Sequence, residues 1–219
     1  MTQRQSILSV RLISKQVAGL GLAVALGLLF AAPAFAHHPF GGQTPANAIE
    51  GFLSGMGHPV VGLDHLAFVI TAGLLATVVG RGLLIPSTFV VASLGGTGLH
   101  LAGANLPAPE FCISASVVVF GVLLAMRKQP QTLMVSVLAA IAGIFHGYAY
   151  GEAVVGAEMT PLFAYLLGFA VIQMAIAGIA FGVAKRLVAT STNGEMNLRF
   201  AGFALAGAGA AFLSSVVLG

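Results

Sequence analysis

The chain has 219 residues, 58% hydrophobic and only 7% charged, where an ordinary soluble domain carries roughly a quarter charged residues, so a water-soluble fold is excluded. A mean hydropathy of +1.01 with 29 Gly, 9 Pro and no Trp is the composition of packed transmembrane helices, and the expected fold class is all-α, a polytopic membrane helical bundle. The nine Lys and Arg outnumber the six Asp and Glu, but they form no basic face of the kind that binds nucleic acid, and the single Cys112 excludes an intrachain disulfide or C-x-x-C motif.

The N-terminal segment reads as an address. Arg4, Arg11 and Lys15 precede the apolar run 18–30, which is followed by Ala34-Phe35-Ala36, a small-x-small cleavage site. A run of this length is too short to span, since about 20 apolar residues are needed, and residues 1–36 are expected to be a cleaved signal peptide rather than an uncleaved first helix. The leader holds all of the basic excess, leaving six Lys and Arg against six Asp and Glu in residues 37–219, the single transmembrane domain. A mature chain opening on His37 and His38 would present a free amine beside two imidazoles; a chelating arm and a disordered polar terminus are both open readings.

Next, Ile49, Phe52, Leu53 and Met56 recur at helical spacing, which predicts a short interfacial amphipathic helix over 46–57. Apolar windows then place six spans, near 59–80, 83–104, 109–126, 131–151, 160–184 and 198–218, with a longer polar linker at 185–197. With the mature N-terminus outside, loops one-two, three-four and five-six are cytoplasmic. Arg81, Arg127, Lys128, Lys185, Arg186 and Arg199 all fall in or beside those loops, in agreement with the positive-inside rule. The expected location is a bacterial cytoplasmic membrane.

This topology collects the polar residues on the outer side. In H-P-V-V-G-L-D-H, Pro59 suits a first helical position, so His58 is expected as the N-cap, with Asp64 and His65 in the next two turns and the two histidines on one face. Asp64 is placed to ligate beside His65 or to orient an imidazole by hydrogen bonding. His100 ends span two, Glu110 and Cys112 open span three, and His146 and Glu152 end span four. Each alone reads equally as an interfacial or packing residue. As a set they mark an ion or proton route, because ionisable groups in a bilayer cost about 2.5 to 3.5 kcal/mol or more at its centre. Imidazole with carboxylate suits nickel, cobalt, zinc or copper rather than magnesium or calcium; Cys112 is left out of the ligand set. Gly143, Gly147 and Gly151 form a small-residue stripe around His146, suited to close helix packing and to a homo-oligomer contact, and Tyr150 one turn on is a candidate hydrogen-bond donor.

Together H-P-V-V-G-L-D-H and F-H-G-Y-A-Y-G-E, following a signal peptide, make the chain resemble the HupE/UreJ membrane proteins over its whole mature length. The resemblance implies nickel uptake for nickel-iron hydrogenase and urease, with cobalt an alternative, and a central role for His58, Asp64 and His65. The second motif carries over only His146: the family has a histidine where Tyr150 stands and a glutamate where Ala153 stands, with Glu152 and Glu158 the nearest carboxylates here.

The functional expectation is a secondary, ATP-independent permease, since the chain has no G-x-x-x-x-G-K-[ST] motif, that takes up a divalent metal (nickel first, then cobalt, zinc or copper) from outside, with no prosthetic group. An inverted repeat of three plus three spans fits such a carrier. The competing enzyme reading is an intramembrane zinc hydrolase on the same ligands, though neither H-E-x-x-H nor G-x-S-x-G occurs. A haem-ligating electron carrier is a third reading, which a missing Soret band would eliminate.

Overall fold

The computed structural model describes residues 44–128 and 130–219, and every regular element among them is helical. The signal peptide over residues 1–36 and the arm at His37 and His38 lie outside the described residues. The helices are α1 (Ala48–Val61), α2 (Leu63–Val79), α3 (Leu84–Leu101), α4 (Pro109–Ala125), α5 (Thr132–Gly151), α6 (Met159–Thr190) and α7 (Gly194–Leu218), with a 3-10 turn at Glu152–Val154. Four of them (α3, α5 continued through the turn, α6 and α7) are long and apolar enough to cross a membrane; α1 with α2 makes up to five if that bent pair is one span. Helix α4 is apolar but shorter, at 17 residues.

The first span departs from the sequence expectation. Asn47 caps α1 by accepting from the Glu50 N–H at 3.0 Å, while the Glu50 carboxylate accepts from Ala46 N–H at 2.8 Å. From there the helix runs on through His58 and Pro59, so His58 is not an N-cap. Pro59 removes one backbone donor and weakens the helix locally, but the chain turns only at Gly62, where α2 leaves at 81° to α1. Of the apolar stripe of α1, Ile49 and Leu53 are exposed and Phe52 and Met56 half-buried, whereas Gly51, Ser54 and Gly55 are buried, the two glycines against α6. Small residues, rather than large apolar ones, are what allow the two backbones to meet.

The polar linker at 185–197 is largely helical as well. Helix α6 runs to Thr190 and α7 begins at Gly194, because hydropathy reports where a helix leaves the hydrocarbon, not where it ends. Three pairings organise the bundle: α1 and α2 along α6, α3 along α5, and α4 along α7. Glycines sit at each contact. A Cβ at Gly55 would overlap the Tyr165 carbonyl, one at Gly147 the Ser93 carbonyl, and one at Gly202 would come within 2.6 Å of Ala125 N. The stripe of Gly143, Gly147 and Gly151 is thus occupied by α3 of the same chain. At the other end of the bundle, Arg199 Nε donates to the Ala125 carbonyl at 2.9 Å, satisfying a group at the C-terminus of α4.

Candidate metal centre

Three helices bring three imidazoles to one buried point. His58 lies in the last turn of α1, His65 in the first turn of α2, and His146 near the end of α5, with 5%, 3% and 0% of their surface exposed. The ring centroids of His58 and His65 are 5.8 Å apart and those of His65 and His146 4.8 Å. Seven-residue periodicity does not produce the first contact, since the helix breaks between the two residues. The elbow does. A Cβ at Gly62 would fall 2.6 Å from His65 Cδ2, so a larger residue there would push the ring from its place beside α1.

The imidazoles are tied into a chain of hydrogen bonds. His65 Nδ1 meets His146 Nδ1 at 2.7 Å, and His146 Nε2 lies 3.0 Å from Ser116 Oγ on α4, which donates to the Ile113 carbonyl at 2.6 Å. His58 Nδ1 lies 3.0 Å from the Tyr165 hydroxyl on α6, which donates to the Tyr150 carbonyl at 2.9 Å. Asp64 stands at the half-buried edge, its Oδ1 accepting from the His65 backbone N–H at 2.8 Å. The Tyr150 ring fills the space between, 5.0 Å from His58 and 4.5 Å from His65, and its hydroxyl makes no hydrogen bond to His146. Beneath, Phe68 and Phe89 lie 4.7 Å and 5.2 Å from His146, and Phe120 packs on Phe68 at 4.6 Å, closing the centre on its α4 side with apolar rings.

Three other sequence candidates lie elsewhere. His100 packs against Tyr148, with centroids 4.5 Å apart, and against Gly151. Glu110 and Glu152 are exposed at the start of α4 and the end of α5. Cys112, in the first turn of α4, is half-buried and lines an apolar cleft of about 200 Å³ between α4 and α5. Among the described residues no three His, Cys, Asp or Glu side chains are drawn up as a ready chelate. The donors that converge are nonetheless imidazoles edged by a carboxylate, the set that suits a borderline divalent ion. Sequence reasoning missed Ser116 and Tyr165. A hydroxyl within an apolar helix was the available signal, but nothing in spacing links either to a histidine 30 or 107 positions away.

The family model of the HupE / UreJ protein matches residues 17–212. The chain belongs to the HupE / UreJ family. Among its HupE / UreJ relatives, Protein HupE of Rhizobium leguminosarum bv. viciae is 32% identical over 173 residues, covering 75% of this chain and 85% of that protein. No solved structure matches the chain significantly. The HupE / UreJ match takes in all three imidazoles of the centre as well as Asp64, Ser116 and Tyr165, so the convergence lies wholly within the family's own stretch.

Proposed function

We propose that this member of the HupE / UreJ family is a secondary, ATP-independent transporter that takes up a divalent transition metal, nickel first and cobalt, zinc or copper after it, from the extracytoplasmic side of a bacterial inner membrane. The observation that carries the reading is the meeting of His58, His65 and His146 from three helices at a point less than 6% exposed, with Asp64 at its edge. Uncharged imidazoles strip water from an incoming ion and the carboxylate offsets its charge. A buried point of this size suits an ion; a scissile lipid or peptide bond would need a wider approach. In this reading α1 with α2, α3, α4, α5, α6 and α7 make six crossings with the mature N-terminus outside. Exchanging the first three crossings for the last three turns the α1/α2–α6 pairing into α3–α5 and leaves α4–α7 as itself, a pattern that supports an inverted repeat.

The test is uptake into proteoliposomes loaded with a metal-sensitive dye, with nickel, cobalt, zinc and copper supplied singly and in competition. Asp64→Asn and His65→Ala should each slow entry by about tenfold or more. Unchanged entry in both variants would refute the site.

A further inference from the structure

An uncharged imidazole has one N–H and one lone pair, so each hydrogen bond at one ring nitrogen decides what the other can do. The hydroxyls next to the histidines are already committed. Ser116 Oγ donates to the Ile113 carbonyl and Tyr165 Oη to the Tyr150 carbonyl, and neither carbonyl can donate in return. Each hydroxyl therefore acts as an acceptor toward the ring beside it. His146 must donate from Nε2 to Ser116, which leaves its lone pair on Nδ1; that nitrogen accepts from Nδ1–H of His65, 2.7 Å away. His58 donates from Nδ1 to Tyr165. Only this placement of protons satisfies every one of these contacts, and it puts the lone pair of both His58 and His65 on Nε2.

We propose that Ser116 and Tyr165 are positioning residues: their carbonyl-anchored hydroxyls set the tautomers of His146 and His58, and through them make Nε2 the metal-binding nitrogen of His65 and His58. The inference rests on the uptake reading above for the metal, but its proton assignment does not. His146, with both ring nitrogens engaged, orients His65 and does not hold the ion itself. The arrangement parallels metal sites in which a ligand histidine is steered by the partner of its other nitrogen, whose loss lowers affinity about 10- to 100-fold.

The experiment uses the full chain in detergent, labelled with ring-15N histidine, to read tautomers in the metal-free protein, followed by titration with Co²⁺. In the wild type, His146 should show a protonated Nε2, and His58 and His65 a protonated Nδ1. Ser116→Ala should let His146 and His65 populate both tautomers and weaken Co²⁺ binding about tenfold or more. Ser116→Thr, which keeps the hydroxyl, should restore both, a rescue that a packing role alone would not produce. Tyr165→Phe, on a different helix, makes the same test at His58 should the α4 variant fail to fold. Wild-type tautomers in Ser116→Ala or in Tyr165→Phe would overturn the proposal. Wild-type protein with the expected tautomers but no Co²⁺ binding would instead remove the metal reading, leaving the proton assignment in place.

Discussion

Replacing Gly147 by alanine tests whether the α3–α5 contact holds the centre together. The added Cβ would overlap the Ser93 carbonyl oxygen and lie 2.5 Å from the carbonyl carbon and 2.6 Å from Ser93 Cα, so the two helices must part by roughly 1.5 Å to reach ordinary contact. His146 is the preceding residue, and its 2.7 Å bond to His65 would stretch beyond hydrogen-bonding range; the Thr97 Oγ1 bond to the Gly147 carbonyl, also 2.7 Å, is strained by the same movement. Overpacking costs about 1–3 kcal/mol, and the two hydrogen bonds about 1 kcal/mol each. The sum, roughly 3–5 kcal/mol, corresponds to a fall in Tm on the order of 10 °C. Gly182→Ala is the matched control: nothing lies within 4 Å of its Cβ position, and alanine in a helix gains up to about 1 kcal/mol. Thermal unfolding of both variants in detergent, with Co²⁺ titration at a temperature where both are folded, reads the two consequences separately. Equal melting and equal affinity in the two variants would refute the claim that this contact presses His146 against His65.

Two further substitutions separate stability from function. Asp64→Asn keeps an oxygen to accept from the His65 N–H, whereas Asp64→Ala does not. Thermal unfolding should find the first near wild type and the second lower by about 1 kcal/mol, while metal uptake falls in both because each loses the charge. Gln173 is fully buried on α6 with Nε2 donating to the Phe169 carbonyl at 3.1 Å and Oε1 without a partner. Since an unsatisfied buried acceptor costs about 1–3 kcal/mol, Gln173→Leu should melt at or above the wild-type temperature; a loss of more than about 2 kcal/mol would show that Oε1 is engaged in the folded protein.

The helical class and the positions of the apolar segments were readable in composition and hydropathy, because a bilayer forces backbone bonds to close within each helix. Boundaries were less readable. Helix α1 ends at Gly62, where the His65 ring lies against backbone that carries no Cβ, rather than at Pro59, and such a ring-to-backbone approach is invisible to propensity. The outward-facing Ile49 and Leu53, with Gly51 and Gly55 packed on α6, show that in lipid small residues rather than large apolar ones mark the packed face. Within the centre, the H-x-x-x-x-x-D-H motif singled out His58, Asp64 and His65, but the meeting with His146 exists only in the packed bundle, where Gly143 and Gly147 seat α5 on α3. Ser116 and Tyr165 carried no periodic or spacing signal at all, since their role exists only once α4 and α6 are packed.

The partners of the imidazoles bear on why such a centre would release what it binds. A resident metal site commonly backs a ligand histidine with a carboxylate, which raises the basicity of the coordinating nitrogen and tightens the bond. Here the partner of Nδ1 is uncharged in both cases: a phenol hydroxyl at His58 and a second imidazole at His65. These partners still choose the nitrogen that faces the ion, yet they add less electron density to it. A carrier needs this balance, because an ion must bind well enough to leave water and weakly enough to move on. The only nearby carboxylate that the motif supplies, Asp64, sits at the half-buried edge with one oxygen on the backbone, where it can meet the charge of an arriving ion without deepening the well beneath it.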